Sequence, residues 1–267
     1  MCKTCGCGDS ELVPVELHER ILAGNEATAR HNREHFEADG VLAVNLMGSP
    51  GSGKTALLEA TSRAWGGRRR LAAMSGDLET DNDARRLVAA GIPSVAITTG
   101  SACHLDAALV HRALHDAPWE SDDPLDVLFI ENVGNLVCPA IYDLGEAVRV
   151  VALALTEGED KPLKYPIIFR AADAVVLTKA DLLPHLDVDV GAIRGALARV
   201  MPEPKVILVS AKTGEGVNEW IDWLEERMAR ISARATRPHG HPHDHAHAHD
   251  HGHGHEHAKE APAVAER

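Results

Sequence analysis

Apolar residues fall along the chain in two alternating rhythms. Short runs that are apolar almost throughout recur at Val41–Met47, Leu71–Ser75, Ser94–Thr98, Asp126–Glu131, Val148–Thr156, Ala174–Thr178 and Lys205–Ser210. Runs of that length and density predict strands buried on both faces. Helical spacing marks the stretches between them, at Thr55–Trp65, Asp81–Ala90, His104–Asp116, Val188–Val200 and Val217–Ile231, after a polar amphipathic helix over Val15–Ala38. Alternation of this kind implies right-handed crossovers and a mostly parallel sheet of about seven strands, flanked by helices on both sides. The pattern divides the chain into a cysteine-bearing segment over 1–14, an α/β domain over 15–235 and a tail over 236–267. The tail is His, Ala, Gly, Asp, Glu and Pro with almost no bulky apolar side chain. It cannot bury enough surface to offset its ordering entropy and is expected to be disordered.

The first strand–helix junction carries Gly48-Ser49-Pro50-Gly51-Ser52-Gly53-Lys54-Thr55, a complete G-x-x-x-x-G-K-[ST] between a buried strand and a helix. Glycines let the backbone wrap a phosphate with its N–H groups, and the helix N-terminus adds a positive dipole end. Lys54 can reach the β- and γ-phosphates, and the Thr55 hydroxyl can ligate Mg²⁺. The fold class is therefore α/β, of the P-loop NTPase kind. Thr178-Lys179-Ala180-Asp181 follows a later apolar strand, and Ser210-Ala211-Lys212 ends the next. A carboxylate at Asp181 accepts from guanine N1–H and N2–H₂, a pairing adenine cannot supply, which selects GTP. Gly76-Asp77-Leu78-Glu79-Thr80 and Glu131-Asn132-Val133-Gly134 stand at strand ends between these motifs. Asp77 and Glu131 are the expected carboxylates for Mg²⁺ and for sensing the γ-phosphate. No arginine is obviously placed to stabilise transferring charge, so slow intrinsic hydrolysis of GTP to GDP and phosphate is expected.

Composition narrows the partners. The 267 residues are 45% hydrophobic and 25% charged, as in an ordinary packed domain, but aromatics are only 3% and the net charge is −13. Few stacking platforms and a negative field both argue against nucleic acid. No apolar run reaches 18 residues and no secretory signal opens the sequence. Of five cysteines, three lie within the first seven residues. An odd count in a chain of this size suits a reducing, cytoplasmic setting and thiolate chemistry rather than disulfides. Cys2, Cys5, Cys7 and the α-amino group offer four S/N ligands, suited to square-planar Ni²⁺ or tetrahedral Zn²⁺. Cys103-His104 follows the turn Thr99-Gly100-Ser101 at the expected beginning of a helix, where a thiolate is favoured. With Cys138 these make three ligands, one short of a closed tetrahedral site, which a second copy or water would complete. Two small buried cysteines would account equally well for Cys103 and Cys138.

Histidine is the outlying residue type, with 17 in the chain. Ten occupy every odd position from 239 to 257: His239, His241, His243, His245, His247, His249, His251, His253, His255 and His257. Such a tract is a flexible, high-capacity ligand for divalent metal that weakens as pH falls through ~6.5. The seven body histidines are expected to be solvated apart from His104, although His31/His35 and His111/His115 stand at i, i+4.

Taken together, Met1-Cys2-Lys3-Thr4-Cys5-Gly6-Cys7-Gly8, Gly48–Thr55, Gly76–Thr80, Cys103-His104 and Glu131–Pro139 resemble the HypB family. These are hydrogenase nickel-incorporation GTPases of the same class as UreG, in the fold branch that includes nitrogenase iron protein. The resemblance runs from Met1 to about Ile231. It implies a GTP-dependent metallochaperone that delivers Ni²⁺ to the large subunit of [NiFe]-hydrogenase, with a HypA-type nickel chaperone and a SlyD-type isomerase as partners. It also implies a nucleotide-linked homodimer with Cys103, His104 and Cys138 binding nickel or zinc at its interface. The N-terminal cysteines then look like a separate tight nickel site. Movement of Glu131–Cys138 on hydrolysis would release the metal. One departure is the His-rich segment, commonly near the N-terminus in the family and C-terminal here. A urease-type UreG GTPase is the nearest alternative, against which the Cys2/Cys5/Cys7 start and Cys103-His104 argue. A nickel store with an idle nucleotide site is the other.

Overall fold

A computed structural model describes residues 15–100, 102–117, 119 and 124–235. Strands β1 (Leu42–Met47), β2 (Leu71–Asp77), β3 (Ser94–Thr98), β4 (Val127–Glu131), β5 (Val148–Ala154), β6 (Ala174–Thr178) and β7 (Val206–Leu208) form one sheet in the order β3-β2-β4-β1-β5-β6-β7. Every pairing is parallel. β1 is therefore central, with β4 and β5 on its two sides, and the chain leaves it at the point where strand order reverses. In open α/β sheets that crevice is where ligands bind.

Helices α1 (Val15–Ala38), α2 (Lys54–Trp65), α3 (Asn82–Ala89), α4 (Ala107–His115), α5 (Lys161–Lys164), α6 (Pro166–Arg170), α7 (Val190–Val200) and α8 (Val217–Ala235) cover the faces. The alternation of strands with helices is as expected, and so is the buried character of the strands: β1, β4 and β6 are buried at every position. One face packs Leu57, Leu58 and Trp65 of α2 and Trp220 and Leu224 of α8 over Val44, Phe129 and Val176. Each such large side chain, removed from water, contributes roughly 1.5–3 kcal/mol. Their polar atoms are met: Trp220 Nε1–H donates to Thr61 Oγ1 at 2.9 Å and Trp65 Nε1–H to Glu225 Oε1 at 3.1 Å. The other face is shared by Phe36 of α1 with Leu105 and Val110, and by Phe169, Ile193 and Leu197 of α6 and α7.

Several boundaries differ from the pattern. The strand expected over Val148–Thr156 ends at Ala154, because Leu155–Glu157 coil into a 3₁₀ turn whose Glu157 carboxylate accepts from the Ala154 N–H at 2.9 Å. β2 runs two residues beyond Ser75, and β7 is the short Val206–Leu208 rather than Lys205–Ser210. α4 starts at Ala107, not His104, because Asp106 caps it by accepting from the Leu109 N–H at 2.8 Å. α5 and α6 were not signalled by apolar spacing. Among the described residues no helix is long and apolar enough to cross a membrane. The segment over 1–14, with Cys2, Cys5 and Cys7, and the tail histidines lie outside the described residues.

Candidate nucleotide and metal site

Three pieces of chemistry meet at the C-terminal edge of the sheet. Gly53, in the left-handed region at φ 89, turns the loop after β1 into α2, and the Lys54 Nζ folds back to donate to the carbonyls of Gly48 and Ser49 at 3.3 Å each. A cavity of about 460 Å³ opens over this loop, lined among others by Pro50, Gly51, Gly53, Lys54, Thr55, Asp77, Asp83, Arg86 and Glu131. The volume is within the usual range for a small-molecule site.

The Thr55 hydroxyl lies 2.8 Å from Glu131 Oε1 and 3.1 Å from Asp83 Oδ1. Glu131 is buried, and its Oε2 has no hydrogen-bond partner among the described residues. An unpaired buried carboxylate oxygen beside a hydroxyl and a second carboxylate is a donor set for a hard divalent cation. Burial raises the Glu131 pKa to about 7 against the pull of Lys54 and the Thr55 hydrogen bond, and burial lowers that of Lys54 against the pull of Glu131. Both shifts have one cause, since removal from water disfavours each charge more than their attraction restores it. Asp77 lines the same cavity, but its carboxylate accepts from the backbone N–H groups of Glu79 and Thr80. Partial burial works against its charge, yet those donors hold its pKa below the ordinary value.

A carboxyl group with a raised folded pKa favours the fold fully below its unfolded pKa, near 4.5, and that contribution is lost as pH rises through about 7. Glu131→Gln is therefore expected to stabilise the nucleotide-free protein by about 3 kcal/mol at pH 8 and by under about 1 kcal/mol at pH 5. Urea unfolding at the two pH values checks this. An equal effect at both would show that Glu131 is not protonated in the fold.

Asp83 and Arg86 were not picked out from the sequence. Arg86 lines the cavity, but its guanidinium is held by Glu59 in a two-pronged contact at 2.7 and 2.9 Å. That hydrogen bonding holds its pKa above the ordinary value.

Beside the loop lies a second cavity of about 360 Å³, lined by Gly53, Glu59, Arg63, Thr178, Lys179, Asp181, Ala211 and Lys212 among others. The two expected base-reading segments thus meet across β6 and β7. Lys179 has φ 62, the one non-glycine residue with positive φ among those described, as the chain turns from β6 into a 3₁₀ turn over Ala180–His185. Backbone strain of this kind is characteristic of ligand sites. The Thr178 hydroxyl donates to Ser52 O at 2.5 Å, tying the base segment to the phosphate loop. The Ser210 hydroxyl donates to Asp181 Oδ1 at 2.8 Å and accepts from the Thr213 N–H at 3.1 Å, which fixes the carboxylate.

The sulfur and imidazole ligands form the third piece. Cys103 Sγ is 3.0 Å from Cys138 Sγ and 4.0 Å from His104 Nδ1, and ligand atoms of the three residues all lie within 4.8 Å of one another. The three side chains are thus close enough to share one ion. His104 is buried and stacked on Tyr142 at 4.0 Å between centroids, and burial lowers its pKa against the opposing charge of Asp106. Cys103 and His104 do not open a helix as expected, because α4 starts at Ala107 with Asp106 as its cap.

This cluster is joined to the phosphate loop. Asn135 donates its N–H to Gly48 O at 3.1 Å and its side-chain Nδ2 to Cys103 O at 3.3 Å. A Cβ on Gly134 would stand 2.8 Å from the Pro50 nitrogen, so only glycine allows the segment this close. The buried Asn132 Oδ1 accepts from the Leu105 N–H at 3.2 Å and the Val133 N–H at 3.0 Å.

Residues 42–207 match the nucleotide-binding domain of the CobW/HypB/UreG family. The hydrogenase maturation factor HypB of Azotobacter chroococcum is 52% identical over 230 residues, covering 85% of this chain and 74% of that relative. The chain belongs to the HypB family. Two solved HypB structures share the fold. HypB from Helicobacter pylori in complex with nickel aligns with a TM-score of 0.74 at 37% identity, over 78% of this chain and 96% of that one. HypB from Archaeoglobus fulgidus aligns at 0.70 and 42% identity, over 78% and 100%. In this HypB-family chain, the phosphate loop, the base pocket and the sulfur–imidazole cluster share one sheet edge.

Proposed function

We propose that this chain is a GTP-hydrolysing nickel carrier for maturation of [NiFe]-hydrogenase, in which nucleotide turnover controls nickel held by Cys103, His104 and Cys138. The observation that carries the reading is the direct link from Gly48 through Asn135 to Cys103. A change at the γ-phosphate that moves the exit of β4 pulls on both sides of the Cys103–Cys138 pair, and nickel loses a ligand. The S₂N set suits Ni²⁺ and Zn²⁺ alike.

GTP is the nucleotide because a fixed Asp181 carboxylate faces the base cavity. Lys54 reaches the β- and γ-phosphates once the nucleotide replaces its carbonyl partners. Mg²⁺, held by Thr55 with Glu131 or Asp83 behind it, supplies neutralisation of phosphate charge. The clamp of Glu59 on Arg86 accounts for slow intrinsic hydrolysis. A homodimer completes the three-ligand site, and the exposed apolar side chains of Leu78, Val137 and Ile141, at 42%, 49% and 44%, suit that face. The HypA-type chaperone, the SlyD-type isomerase and the hydrogenase large subunit are the partners proposed for a cytoplasmic protein. Cys2, Cys5 and Cys7 serve as a tight nickel site and the tail as a reservoir.

Nickel passed to a competing chelator per GTP hydrolysed, in the full chain and its Cys138→Ala variant, tests the coupling. The wild type is expected to show release tied to turnover, and the variant, one sulfur ligand short, only a turnover-independent background. Turnover-linked release that survives in Cys138→Ala would overturn the reading.

A further inference from the structure

A second cluster of metal-ligating side chains lies away from the nucleotide site. His31 and His35 stand one turn apart on α1, with Nε2 atoms 3.2 Å apart, and His111 and His115 repeat the arrangement on α4 at 3.3 Å. Helix packing brings the pairs together: ring centroids of His31 and His111 are 5.1 Å apart and those of His35 and His111 6.4 Å. Two nitrogens each 2.0–2.1 Å from one tetrahedral ion sit about 3.3 Å apart, so either pair has the spacing of a chelate.

The surroundings of His111 add an independent sign. Buried Asn32 donates both amide hydrogens, to Ala107 O at 2.9 Å and Leu144 O at 3.0 Å. Its Oδ1 must then accept, and His111 Nδ1 lies 3.1 Å from it. Nδ1 carries the proton, which leaves the Nε2 lone pair directed at His115. A protonated ring nitrogen anchored on an oxygen, with the other unprotonated, is the outer-sphere arrangement of metal-binding histidines. Burial, and then the neighbouring His115, His31 and His35, lower the His111 pKa and favour the neutral, ligating form.

Among the described residues no three of these rings bring nitrogens within 4.8 Å of one another, so the two pairs meet only when the exposed rings rotate. We propose that, so turned, His31, His35, His111 and His115 form a surface site for one divalent transition-metal ion of the imidazole-binding class, clasping α1 to α4. The site is separate from the Cys103/His104/Cys138 cluster, although α4 starts just beyond it in the chain.

Carbethoxylation of histidines in the full chain, read by peptide mass spectrometry as Zn²⁺ is titrated past the capacity of the tail, tests the site. The four residues are expected to react at least about tenfold more slowly with Zn²⁺ present, while the exposed His185 is unaffected. In His111→Gln, and in His115→Gln at an exposed position, protection of His31 and His35 is expected to fall. Protection no greater than at His185, or protection of His31 and His35 undiminished in both variants, would overturn the shared site.

Discussion

Lys54→Ala is expected to lower GTP turnover by about a thousandfold, the scale of removing a positive group aimed at transferring phosphate charge. The apo geometry explains why so much depends on one side chain. The ammonium is buried and held only by two carbonyls at 3.3 Å, with Glu131 and Asp83 drawing on it. Burial lowers its pKa more than the pull of those carboxylates restores it, so arriving polyphosphate adds counter-charge. The variant also loses the positive charge that holds the Glu131 pKa down, and Glu131 becomes still easier to protonate. Folded stability near pH 6 is therefore expected to change little, which separates a catalytic loss from unfolding. Phosphate release with Mg²⁺ and saturating GTP is the measurement. Retention of more than about a tenth of wild-type turnover would remove Lys54 from its assigned role.

How far the sequence foretold the site depends on whether each feature is set locally. β1, the glycines after it and Lys54-Thr55 are consecutive, so strand, loop and helix start could be read together. Thr178–Asp181 and Ser210–Lys212 are also local, and parallel pairing of β6 with β7 brings them side by side. The helix expected from His104 starts instead at Ala107, because the Asp106 cap outweighs the apolar spacing at Leu105. α5 and α6 also carried a local signal, since Pro162 and Pro166 each stand in a first turn, where proline is tolerated. Asp83 and Arg86 carried no such signal. Their place in the cavity over the loop depends on the angle at which α3 packs beside β2. The histidine pairs divide the same way: each i, i+4 spacing was visible, but the contact of α1 with α4 was not.

Asp181→Asn is expected to weaken GTP binding by about a hundredfold or more and to create a preference for xanthosine triphosphate. The carboxylate is not free to swing aside, because Oδ1 receives the Ser210 hydroxyl at 2.8 Å and Ser210 is itself fixed by the Thr213 N–H. Guanine presents two donors on that edge, N1–H and N2–H₂, and a carboxylate accepts both. Asparagine turns one acceptor into an NH₂ donor, which faces the guanine amine and leaves a buried polar group unpaired. Xanthine carries a carbonyl where guanine has the amine, so the same NH₂ finds an acceptor while the amide oxygen still takes N1–H. The phosphate loop is untouched, and loss of GTP with gain of the xanthine nucleotide cannot come from a collapsed site. Competition of GTP, ATP and xanthosine triphosphate against a fluorescent nucleotide reads the exchange. GTP affinity within tenfold of wild type would mean that the base is selected elsewhere than at Asp181.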